Sequence, residues 1–180
     1  INYNDLQMQQ KTIELVNGMD VFPRKYKADL EDIIKTRLAK PFERKTNENV
    51  GAISPFDPTK RVEALSDSNI YMEFYVISQL VNQGKLKPEN LTDRFFDYVY
   101  LGKGDPNLAA KESRISEVTL EEAREQVNST YPVDISVAGF EHLGVHVPFS
   151  LFTHAAVLPD RYFFPEYIIT SHKTKDGEKM

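Results

Sequence analysis

The chain has 180 residues and no cysteine, which excludes a disulfide framework, a thiol nucleophile, an iron–sulfur cluster and a thiolate zinc site. Hydrophobic residues make up 41% and charged residues 27%, the balance of a globular protein rather than of a disordered tail or a coiled coil. The formal net charge of -5 is carried by residues 91–180; it repels a phosphate backbone, so no nucleic-acid partner is expected.

This length suits a single globular domain over 1–180 with one core. No apolar run approaches the roughly 20 residues of a membrane span, and "INYNDLQMQQ" lacks the basic and apolar regions of a signal peptide. No membrane contact is expected from this segment. A start at Ile1 rather than Met leaves room for an upstream leader or anchor, so localisation stays open, with the cytoplasm preferred over an extracytoplasmic site.

In chain order, Asn4 as N-cap, Leu6, Ile13 and Val16, and Gly18 as a stop predict a first helix over 4–18. Pro23 opens a second, in which Tyr26, Leu30, Ile33, Ile34 and Leu38 recur at helical spacing until Pro41. Its basic residues are interrupted by Asp29, Glu31 and Asp32 at spacings that suit ion pairs on a solvated face. Residues 41–60, rich in proline, glycine and polar side chains, read as a long loop with Phe42, Ile53 and Phe56 as anchors.

Residues 69–101 predict a helical hairpin broken at Gly84. Ile70, Phe74, Ile77 and Val81 form one apolar face of its first, central helix and Met72, Val76 and Leu80 a second beside it, with Phe74 buried and Glu73 at the surface. Pro88 and Glu89 open the second helix, and Gly102 ends it. Glu89, Asp93 and Asp97 give that helix the wrong sign for a nucleic-acid groove. "LGKGDP" lacks the further glycines and the Lys-Ser or Lys-Thr pair of a phosphate loop. Thr119 with Glu122 reads as a capping box that opens a charged helix.

After Pro132 the period changes. Val133, Ile135 and Val137, then Leu143, Val145, Val147 and Phe149, alternate with polar or small residues, predicting a hairpin of two strands whose odd-numbered residues face the core. On such a strand His142 and His146 share a face but stand about 13 Å apart, too far for one ion. A hairpin symmetric about Phe140 sets Asp134 opposite His146. "RYFFPEY" is dense in aromatics and precedes a strand over 166–171.

The fold expectation is therefore α+β, a helical N-terminal two thirds packed on a small antiparallel sheet formed by the C-terminal third, with 131–171 mainly β. Two functional readings remain open. The first is a non-catalytic binding or assembly domain that recognises a protein partner or ligand, or self-associates, through Arg161, Tyr162, Phe163, Phe164 and Tyr167. The second is a hydrolytic or metal-assisted enzyme using the cluster of Asp134, His142, His146 and His154, with Glu141 or Asp160 nearby and Asp134 and His146 as its catalytic pair. The first is preferred, because no nucleophile–base or metal spacing is specific to one chemistry. No cofactor is expected and no metal; were a metal present, His142, His146, His154 and Asp160 would be its ligands.

Overall fold

A computed structural model describes residues 6–37, 52–59 and 64–171. They form seven α-helices and three strands in the order α1 (Leu6–Gly18), β1 (Asp20–Phe22), α2 (Lys25–Arg37), α3 (Ala64–Asn82), α4 (Asp93–Phe96), α5 (Pro106–Ser113), α6 (Glu117–Thr130), β2 (Ile135–Gly139), α7 (His146–Val157) and β3 (Glu166–Thr170). This is a mixed α+β architecture, helix-rich with one small sheet. Among the described residues no helix is long and apolar enough to cross a membrane. The described residues group into two compact units, one drawn from Ile1–Asn69 and Val133–Met180, the other from Ile70–Pro132.

In the first unit the sheet runs β1-β3-β2, and every pairing is parallel rather than antiparallel as the sequence suggested. Parallel neighbours need a crossover connection, and α7 supplies it between β2 and β3. The expected hairpin is thus replaced by a strand, a turn and a helix. The physical reason lies in the spacing of Leu143, Val147, Leu151 and Ala155, which recur every four residues and are all buried. That helical period coincides with local alternation over 143–149, and burial of the long period wins. Pro148 stands in the first turn of α7, where a missing N–H costs no helical hydrogen bond.

Parallel register puts Val21, Tyr167 and Ser136 on one face of the sheet, and Phe22, Ile168 and Val137 on the other. Val21, Tyr167 and Ile169 are buried, on the face that looks into the core. Helices α1, α2 and α7 pack on one another, and α2 packs on β1. The odd-numbered residues of β2 point the opposite way from the expectation: Ile135 is 49% exposed and Val137 61% exposed. Phe22 shares their face and is also exposed. A parallel sheet normally has both faces covered, so this apolar face stands out.

The second unit is helical. Its first helix meets the sequence expectation at Val76, Ile77 and Leu80, which are buried, and departs from it elsewhere: Glu73 is buried with them, whereas Ile70, Tyr71, Phe74 and Tyr75 face outward. Burial of Glu73 is accompanied by a hydrogen bond in which the Tyr100 hydroxyl donates to the Glu73 carbonyl at 2.7 Å. Pro88–Asn90 form only a 3₁₀ turn; α4 begins at Asp93, where the Thr92 side chain accepts from the Phe95 N–H. It continues as a π-helical turn over Asp97–Leu101 and closes at Gly102, whose φ of 67° favours glycine. Helix α6 starts earlier than the Thr119 box, because Ser116 is the residue that accepts from the Thr119 N–H. Of the long loop expected over 41–60, only 52–59 is described; Phe42 lies outside the described residues, and Ile53 and Phe56 are exposed rather than anchored.

Candidate functional site

In open parallel sheets, ligands bind beyond the carboxyl ends of the strands, where connections to helices leave a crevice. Here that rim is built by the connection from β2 to α7. Gly139 ends the strand, Phe140–His142 make a 3₁₀ turn closed by the Leu143 N–H to the Phe140 carbonyl at 3.1 Å, and α7 begins at His146. On the side of β1, the connection into α2 brings the Tyr26 ring to 5.5 Å from that of Phe140. A side chain on Gly139 would overlap the Glu141 carboxylate, so the absence of a Cβ lets that carboxylate fold back over the end of the strand.

The turn brings His142 and His146 together, with ring centroids 5.6 Å apart and planes at 70°. This corrects the separation expected from a strand. Ser68 from α3 stands beside them, its Oγ 3.4 Å from His146 Nδ1. Partial burial holds the His146 imidazole below its ordinary pKa, and the neighbouring His142 adds to the effect. The His146 imidazole, the Ser68 hydroxyl and the His142 imidazole form the polar part of the rim, and the Glu141 carboxylate lies apart from them against Gly139.

The other residues singled out from the sequence do not join it. Asp134 precedes β2 and is exposed; with no hairpin it has no register opposite His146. His154 is buried in the core, its Nδ1 2.8 Å from the Ser150 carbonyl and its ring 4.6 Å from that of Phe164. Asp160 forms an ion pair with Lys11 at 3.0 Å. Among the described residues, no group of three or more His, Asp or Glu side chains is placed to hold a metal ion.

The aromatic segment is interior. Tyr162 and Phe164 are each 1% exposed and Tyr167 is buried, with the Phe164 and Tyr167 rings edge to face at 5.7 Å. Phe163 is half-buried, and Arg161 is exposed but lies over the Tyr162 ring at 4.6 Å. These side chains pack the unit rather than present a patch. A separate cavity of about 470 Å³ is lined by Asp20, Val21, Phe22, Arg24, Lys27 and Glu166. Lys27 Nζ is engaged there, donating to the Asn17 and Met19 carbonyls at 2.8 and 2.9 Å.

Sequence reasoning missed Ser68, Gly139 and the closeness of the two histidines. The signal for the last was present: residues four apart on a turn leading into a helix share a face at short range.

No protein-family profile matches the chain. It is 38% identical over 162 residues to leucine–tRNA ligase of Staphylothermus marinus, covering 90% of this chain and 16% of that protein. Over 180 residues, 100% of the chain, it is 34% identical to leucine–tRNA ligase of Methanosarcina barkeri and covers 18% of it. The same span is 31% identical to leucine–tRNA ligase of Archaeoglobus fulgidus and covers 19% of it. The chain thus spans less than a fifth of the length of these curated relatives. Likeness along the whole chain to enzymes named for leucine and tRNA overturns three expectations: the free-standing protein-binding domain, the metal-assisted hydrolase, and the exclusion of nucleic acid. Net charge is a weak guide here because it describes 180 residues, a stretch that matches less than a fifth of each of these relatives.

Proposed function

We propose that this chain is part of a leucine–tRNA ligase, and that its parallel-sheet unit contributes one wall of the ligase's reaction site. The observation that carries this reading is similarity along the whole chain: 34% identity extends over 180 residues, so strands, crossover helix and rim all fall within the matched span. The fold agrees with it in kind. A ligase that esterifies a tRNA hydroxyl must hold two reactants in alignment, and a crevice at the carboxyl ends of parallel strands is where such a fold receives ligands.

On this reading the rim carried by Gly139, Glu141, His142 and His146 faces the reactants, with Ser68 orienting the His146 ring. The uncovered face formed by Phe22, Ile135 and Val137 is then a junction with other parts of the ligase, which would supply the second cover a parallel sheet requires. The aromatic segment 161–167 has an internal task, holding α7 and β3 so that the rim keeps its shape.

Leucine attachment to tRNA by the intact protein tests the proposal. Purified protein, radiolabelled leucine, unfractionated archaeal tRNA and ATP should yield acid-precipitable leucyl-tRNA, and His146→Ala should lower the rate at least tenfold while leaving the protein folded. A folded protein that charges no tRNA, or a rate indifferent to His146, would overturn respectively the ligase reading and the placement of its site.

A further inference from the structure

We infer that His142 and His146 form a two-imidazole chelate for a borderline divalent cation of the zinc and nickel type. This goes beyond the ligase reading and stands on the geometry of the pair alone. A zinc ion binds imidazole nitrogen at about 2.0–2.1 Å, which sets the ion roughly 3.2 Å from each ring centroid. With a tetrahedral angle between the two nitrogens, the centroids then lie about 5.2 Å apart. The observed 5.6 Å is within a few tenths of an ångström of that value. Rotation of the exposed His142 side chain closes the difference, and the 70° between the planes is no obstacle, because a ring turns freely about its bond to the ion.

The hydrogen bonding also suits a ligand. Ser68 Oγ stands 3.4 Å from Nδ1 of His146; in the tautomer in which that hydroxyl accepts from Nδ1–H, the Nε2 lone pair is free for the ion. A hydrogen bond at the other ring nitrogen is the usual companion of a metal-bound histidine.

No third histidine or carboxylate among the described residues converges on the pair, so water completes the shell. The ion is therefore exchangeable. Nitrogen ligands rank copper above nickel and zinc, and zinc above manganese, while magnesium and calcium prefer oxygen. The chemistry predicted is reversible occupancy of the rim by a nitrogen-seeking ion, with no hydrolytic step attached.

Isothermal titration of the intact protein with NiCl₂ and with ZnCl₂ at pH 7.5, without leucine or tRNA and with any histidine tag removed, tests the site directly. One ion per chain is expected, with affinity falling at least tenfold in His142→Ala and in Ser68→Ala/His146→Ala, and no heat from MgCl₂. Circular dichroism confirms that each variant is folded; His142 is exposed, so its replacement leaves the core intact. Unchanged nickel affinity in folded His142→Ala, or equal binding of magnesium, would each overturn the chelate. Because no ligase substrate is present, none of these results bears on tRNA charging.

Discussion

The Lys11 ammonium lies between the Ala155 carbonyl, at 2.8 Å, and the Asp160 carboxylate, at 3.0 Å. One side chain of α1 thereby fastens the last turn of α7 and the segment that leads to β3. A cation at a helix C-terminus satisfies a carbonyl with no partner within the helix and lies favourably in the helix dipole. The carboxylate is well exposed, so its attraction is largely screened.

These unequal contributions give a graded outcome. Lys11→Met should lower the unfolding free energy by about 1 kcal/mol, since it removes the hydrogen bond to Ala155. Asp160→Asn should change it by less than about 0.5 kcal/mol. Urea denaturation of the two variants measures the difference, and equal losses would mean that the ion pair dominates.

On α3 the hydrophobic pattern treats Ile77 and Phe74 alike, whereas their burial separates them. Ile77 is fully buried, so Ile77→Ala should cost about 2–5 kcal/mol. Phe74 is 46% exposed, and Phe74→Ala should cost about 1 kcal/mol or less in spite of the larger side chain removed. Denaturation midpoints of the pair decide the orientation of the helix.

His146 gives the protein an acid sensitivity. Its folded pKa lies below the unfolded value of about 6.5, so below that pH the unfolded chain takes up the proton first. Stability attributable to this group is complete above pH 6.5 and declines as pH falls toward the folded value. His146→Gln should flatten the decline in melting temperature between pH 7 and pH 5; an unaltered slope would assign it to other groups.

Tyr98 acts at the alkaline end. Its hydroxyl donates to the Glu121 carboxylate, and that hydrogen bond, followed by burial, raises its pKa above 10. The bond stabilises the fold below pH 10 and is lost as pH rises through the folded value. Tyr98→Phe should therefore melt lower than the parent at pH 8, with a gap that narrows as pH rises through the folded value.

The helical segments were legible because their signals are local. Asn4 and Gly18 bracket α1, Pro23 and Pro41 bracket the apolar period of α2, and Gly84 stands just past the end of α3. The error over 140–149 has a different origin. Two periods were superimposed there, and the one that extends to Ala155 is set by which residues the sheet and α1 bury, a fact of tertiary packing. Strand direction was illegible for a related reason: β1 lies more than 140 residues from β3, and nothing within either announces the other. The aromatic segment looked like a surface because density of rings was taken as the signal, whereas Phe164 and Tyr167 are consumed in covering His154 and each other.

The bare side of the sheet, where Phe22 and Val137 are each more than 60% exposed, bears on how the polypeptide behaves when handled in isolation. Hydrocarbon left wet on a flat, strand-built surface draws other such surfaces to it, and among the described residues β2 is an edge strand with no further strand beside it. Freed from whatever normally shields it, this stretch would lose solubility long before it lost its helices, so its colloidal behaviour and its folding stability are separate properties.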